Sequence, residues 1–113
     1  MEKNVYDKKE DNDGKRVLVM RLWPRGVRKT TIDLWMKDVG TSIDLIRGWK
    51  SGRVTWAQFK SRYKKQMRGE LEKNRIKELV EYAKKGPITL LCTDKDPDRC
   101  HRSLLKEMIE ARA

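Results

Sequence analysis

Two short apolar runs constrain this 113-residue chain more than anything else in it. The first is Arg16-Val17-Leu18-Val19-Met20-Arg21-Leu22. The second is Ile88-Thr89-Leu90-Leu91-Cys92. Both are rich in branched residues and nearly continuous in apolar character, as strands buried on both faces are. Between them the pattern is helical. Strands separated by helices pair in parallel through a crossover. The expectation is a small single α/β domain over residues 1–113, with a short, mainly parallel sheet flanked by helices.

The rest of the chain fits around these strands. Residues 3–7, Lys-Asn-Val-Tyr-Asp, form a weaker strand candidate, and Asn12-Asp13-Gly14 is a turn signal. Trp23-Pro24-Arg25-Gly26 forces a loop after the first run. Thr30 or Thr31 can cap a helix running through Trp35 and Met36 to Gly40. Ser42 can cap a short helical turn with Leu45, Ile46 and Trp49. Thr55 and Gln58 form a capping box, with Val54 and Phe59 at staple positions. Trp56, Phe59, Tyr63 and Met67 then share a face, and Gly69 weakens that helix near its end. A further helix carries Ile76, Leu79, Val80 and Ala83 and stops at Gly86-Pro87. Asp96 and Pro97 suit the cap and first turn of a last helix. Cys100, Leu104, Met108 and Ala111 make its stripe, widened by Leu105 and Ile109.

Charge narrows the function classes. Lys and Arg number 28 against 17 Asp and Glu, a formal net charge of +11. Such a field attracts anions, so the partners that fit are an anionic small molecule or nucleic acid. The same composition also suits the charged surface of a heat-tolerant protein. From Lys60 to Lys85 ten basic residues face four Glu, with Tyr63 and Tyr82 interleaved. That run reads either as a phosphate-binding face or as a solvated helix surface. No apolar run is long enough for a membrane span and no signal peptide is legible, so a cytoplasmic protein with reduced cysteines is expected.

In an open parallel sheet, ligands bind beyond the carboxyl ends of the strands. Two loops leave such ends here, Trp23 to Lys29 and Thr93 to Asp98. Together with the last helix they bring Arg21, Arg25, Trp23, Cys92, Asp94, Lys95, Cys100 and His101 to one crevice. Arg21, Trp23, Arg25, Lys95 and Arg102 are the candidate anion-binding residues, since an arginine fork grips an oxyanion bidentately. His101 is the sole histidine and the candidate proton donor or acceptor at neutral pH. Cys100, at a helix start among Lys95, Arg99 and Arg102, is the candidate nucleophile or redox-sensitive thiol. The alternative for Cys100 is a small residue filling the helix–sheet interface. Whether the chain is an enzyme hinges on His101 and Cys100 facing solvent. A zinc site would recruit Cys92, Cys100, His101 and one Asp, but Cys-x7-Cys-His lacks paired knuckles, so no metal is expected. No Walker loop, dinucleotide fingerprint, nucleophile elbow or redox Cys-x-x-Cys is present, and no particular cofactor is indicated.

Arg16-Val17-Leu18-Val19 followed by Arg21-Leu22-Trp23-Pro24-Arg25-Gly26 resembles the signature of the YeaO-like proteins, the family of domain of unknown function 488 (DUF488). Val5-Tyr6-Asp7, Asp33-Leu34-Trp35, Thr41-Ser42, Trp49 and Gly86-Pro87-Ile88-Thr89-Leu90-Leu91 extend the likeness over nearly the whole chain. The resemblance implies a small α/β protein and no agreed reaction or cofactor. An Asp common in that family just before the Arg is Met20 here, so no role carries over for it. Cys100-His101-Arg102 is similar to a Cys-His-Arg motif of the wider family. Many YeaO-like members keep the histidine without the cysteines. The resemblance therefore favours His101 and the Trp23-Pro24-Arg25-Gly26 loop over a catalytic cysteine.

Overall fold

The computed structural model describes residues 2–93 and 100–112. Their element order is β1 (Glu2–Asn4), β2 (Lys15–Leu18), β3 (Leu34–Trp35), α1 (Ile43–Lys50), α2 (Trp56–Gln66), α3 (Glu70–Lys85), β4 (Ile88–Cys92) and α4 (His101–Arg112), with short 3-10 turns at Asp11–Asp13, Lys29–Thr31 and Lys37–Val39. The four strands form one sheet in the order β1-β4-β2-β3, and every pairing is parallel. The second apolar run and the first half of the first are its central strands, with Arg16 opposite Thr89 and Leu18 opposite Leu91. The first run leaves the sheet sooner than expected: β2 ends at Leu18, and Leu22 is exposed in the loop that follows. The α/β expectation holds. No described helix is long and apolar enough to cross a membrane.

Strand alternation splits the core in two. Val17, Val19, Ile88 and Leu90 face the helices and join Tyr63, Ile76, Leu79, Leu104 and Leu105 in the main cluster. Leu18, Leu91 and Val5 face the other way, covered by Met20, Trp23, Val27 and Ile32 from the long connection after β2. A loop thus does for one face what helices do for the other.

That second face also carries a buried charge cluster. Asp13 is fully buried and pairs with Lys3 Nζ at 2.6 Å and with the guanidinium of Arg16, itself 1% exposed. Arg16 Nε donates to Thr31 O at 2.9 Å, and the Thr89 hydroxyl donates to Asp13 O at 2.7 Å. The hydrogen bond from Lys3 is the largest influence holding the Asp13 carboxyl at about 2, with Arg16 adding to it against the cost of burial. Gly14, at φ 64°, follows Asp13, and a Cβ there would run into the Pro87 carbonyl.

Most helix signals hold. Ser42 Oγ accepts from Leu45 N at 3.3 Å. Thr55 and Gln58 make both bonds of the capping box, at 3.2 and 2.9 Å. Phe59, Tyr63, Met67, Ile76, Leu79 and Val80 are buried as their spacing requires. Other expectations change. The first strand is Glu2–Asn4, because Asn4 O accepts from Asp7 N at 3.0 Å and turns the chain. The helix from Thr30 to Gly40 is instead a 3-10 turn, the edge strand β3 and a second 3-10 turn. There the open edge of β2 competes successfully. Asp33 N donates to Arg16 O, Arg16 N donates to Asp33 Oδ2 at 2.7 Å, and Met36 N donates to Leu18 O. Thr31 Oγ1 donates to Arg28 O rather than capping a helix. Gly69 stands before the first residue of α3, since α2 ends at Gln66. Ala111 is exposed, so the α4 stripe ends at the half-buried Met108. The Asp96 cap and Pro97 lie outside the described residues.

Candidate functional site

At the carboxyl ends of the strands lies a cavity of about 330 Å³. Its walls fall into three groups of residues. Met20 to Arg25, leaving β2, forms one side. Thr41, just before α1, and Ile46, Trp49 and Lys50 of α1 form another with Phe59 of α2. Tyr6, Cys92, Thr93 and His101 close the floor and the β1 side. Cations and aromatic rings therefore surround one space, with Arg21, Arg25 and Lys50 among Trp23, Trp49 and Tyr6.

The wall after β2 is held in shape by side chains. Tyr6 Oη donates to Arg25 O at 2.8 Å, and Trp23 Nε1 donates to Val27 O at 3.0 Å. Trp23 also meets Trp35 edge-on, at 5.4 Å between centroids, while Trp35 Nε1 donates to Met20 O. Arg21 donates to Gly40 O at 3.1 Å through one terminal nitrogen, and Nε lies 3.5 Å from Thr41 O. A guanidinium has more N–H donors than these contacts use. Gly40 is required here: a Cβ on it would overlap the Arg21 backbone nitrogen.

His101 stands at the meeting point of α4, β2 and β4. Its Nε2 is 2.6 Å from Val19 O. Because a carbonyl only accepts, Nε2 carries the proton, and in the neutral ring Nδ1 holds the lone pair. Nδ1 lies 3.8 Å from Cys100 Sγ. The Tyr63 ring packs edge-on against the imidazole at 5.5 Å, and Tyr63 Oη donates to Val39 O at 2.6 Å. Burial drives the Tyr63 hydroxyl far above its ordinary value, with the two thiols adding to the shift, so it acts as a fixed donor.

The crevice brings together Arg21, Trp23, Arg25, Cys92 and His101, as their positions in the sequence imply. Lys95 and Asp94 lie outside the described residues. Arg102 is corrected: it is buried beneath β1 and β4, where Nη1 donates to Lys3 O and to Cys92 O and Nε pairs with Glu2 at 3.4 Å. It ties α4 to the sheet and does not line the cavity. Cys100 is 1% exposed and His101 5%, and of the two only His101 borders the cavity. The solvent-facing thiol and imidazole that the enzyme reading requires are not there, so no reaction is assigned to them. Tyr6, Thr41, Trp49 and Lys50 were not among the expected site residues. The signal for three of them was their place in the segments that carry the family likeness, Val5-Tyr6-Asp7, Thr41-Ser42 and Trp49.

Comparison with known proteins bears on the same residues. The family profile described as the "Active DUF488-N3 subclade" matches residues 2–113. The uncharacterised protein YeaO of Escherichia coli K12 is 35% identical over 111 residues, covering 96% of this chain and 95% of its own. The uncharacterised protein Rv3073c of Mycobacterium tuberculosis is 28% identical over 110 residues, covering 96% and 91%. No solved structure matches at a significant level. With the profile spanning the sheet, the loop after β2 and the start of α4 alike, the chain belongs to the YeaO-like DUF488 family, within its DUF488-N3 subclade.

Proposed function

We propose that this protein is a small-molecule-binding domain whose crevice takes an anion joined to a flat ring. One observation carries the reading: Arg21, Arg25 and Lys50 border the same 330 Å³ cavity as Trp23, Trp49 and Tyr6. The guanidinium and ammonium groups suit a phosphate or carboxylate, and the aromatic walls suit a planar, partly apolar body. The volume is that of a small ligand site. The net charge of +11 raises the local concentration of any such anion.

Adenosine monophosphate is a suitable probe, because Trp23 and Trp49 in the walls report on occupancy through their fluorescence. The reading expects a saturable change. It also expects Arg25→Ala to weaken binding roughly tenfold, the value of one charge-assisted hydrogen bond. A linear, non-saturating response, or the same affinity in Arg25→Ala, contradicts it.

A second reading, nucleic-acid binding along the helices, is favoured by α2, which carries Lys60, Arg62, Lys64 and Lys65 and no acidic residue. It is weakened by α3, where Arg75 pairs with Asp38 and Glu78 and Lys84 pairs with Glu81, breaking the run of positive charge.

A further inference from the structure

Folding unites what the sequence separates by seven residues. Cys92, the last residue of β4, points to the helix side of the sheet together with Leu90. There it meets Cys100 and His101 at the start of α4. The two Sγ atoms and a ring nitrogen of His101 all lie within 4.8 Å of one another, and all three residues are buried. We propose that Cys92, Cys100 and His101 form a binding site for a thiophilic divalent metal ion, Zn2+ in the first instance, at the floor of the crevice.

Geometry, tautomer and charge agree on this. A tetrahedral zinc ion, with Zn–S about 2.3 Å and Zn–N about 2.0 Å, sets its sulfur and nitrogen ligands about 3.6 Å apart. Cys100 Sγ and His101 Nδ1 stand at 3.8 Å. Drawing the widest pair in by about 1 Å closes the set. The histidine is oriented as metal-bound histidines are, one nitrogen donating to a backbone carbonyl and the other turned toward the Cys100 sulfur. Val19 O fixes that tautomer, and the Tyr63 ring fixes the imidazole plane. Two thiolates neutralise a divalent ion, so the buried site carries no net charge, which a pair of thiolates alone could not achieve. Binding releases one proton from each thiol as each sulfur–metal bond forms, and nothing is oxidised or reduced. Cys92 and His101 also border the cavity, so a remaining position on the ion faces the crevice. The burial that removes these groups from a solvent-facing enzyme site is what a thiolate–imidazole metal site needs. The site stands whether or not the crevice binds an anion.

The test uses the whole chain, reduced and stripped of metal, titrated with Co2+ alone and then with Zn2+. The expected result is one equivalent of Co2+, with a sulfur-to-cobalt charge-transfer band and strong visible absorption, both removed by Zn2+. Cys92→Ser should weaken binding by at least the roughly 10–100-fold that losing an outer partner already costs. Absence of the charge-transfer band in the wild-type chain overturns the proposal. So does a band that survives in the Cys92→Ser/Cys100→Ser double variant. A further readout needs no variant: Zn2+ should slow the reaction of both thiols with a thiol reagent at least tenfold. Equal rates with and without Zn2+, or a Cys92–Cys100 disulfide forming equally fast in both, overturn it as well.

Discussion

His101 Nε2 donates to the carbonyl of Val19 at 2.6 Å, joining the first turn of α4 to the end of the central strand β2. That bond sets the tautomer of the only imidazole and, together with the Arg102 contacts, holds the start of α4 against the sheet at the floor of the crevice. His101→Ala leaves the Val19 carbonyl buried without this donor and opens a cavity beside Tyr63. It should cost about 2–4 kcal/mol in urea unfolding of the metal-free protein. An unchanged midpoint and slope would show that the bond does not hold the fold.

Acid should act through Asp13. Its carboxyl is held at about 2 when folded, below the ordinary value of 3.8. A depressed carboxyl contributes stability that is complete above its unfolded value and is lost as pH falls through the folded one. Asp13→Asn should therefore lower the melting temperature clearly at pH 7. The gap to wild type should narrow between pH 4 and pH 2, measured by circular dichroism. A gap that stays constant over that window contradicts the assignment.

Gly40 and Gly86 should behave oppositely. A Cβ on Gly40 meets the Arg21 backbone, whereas nothing stands within 4 Å of one on Gly86. Gly40→Ala should destabilise by about 1–3 kcal/mol and distort the crevice. Gly86→Ala, in extended backbone at φ 171°, should be neutral or gain a few tenths of a kcal/mol. Equal melting temperatures for the two variants would argue against the tight approach of Gly40 to Arg21.

The basic face of α2 separates the two binding readings. Lys64→Glu/Lys65→Glu reverses two exposed charges that do not line the crevice. The crevice reading expects affinity for adenosine monophosphate to stay within about twofold of wild type. A loss above tenfold, with steep salt dependence in the wild type, favours phosphate contacts along the helices.

The parallel sheet was legible because Val17-Leu18-Val19 and Leu90-Leu91 are apolar on both faces and lie far apart in sequence. The capping box at Thr55 was legible because its two bonds are local. The stretch from Thr30 to Gly40 was not. Its threonines and Leu34-Trp35-Met36 fit a helix, and the open edge of β2 decides the matter from a distance, through Asp33 and Met36. Half of the crevice was legible, since strand ends and a Pro-Gly loop predict where Arg21, Trp23 and Arg25 go. Lys50 was hidden because nothing local says that α1 borders the same crevice as that loop, and Trp49 was marked only by the family likeness. Arg102 shows the converse: beside His101 in sequence, it turns beneath the sheet to the Lys3 and Cys92 carbonyls.

The most direct test of the crevice is amide mapping by heteronuclear NMR during titration with adenosine monophosphate. The account expects the shifted amides to cluster at Arg21, Trp23, Arg25, Thr41, Trp49 and Thr93, saturating together with one affinity. Shifts confined to Lys60–Lys85, or no saturating shifts, would contradict it.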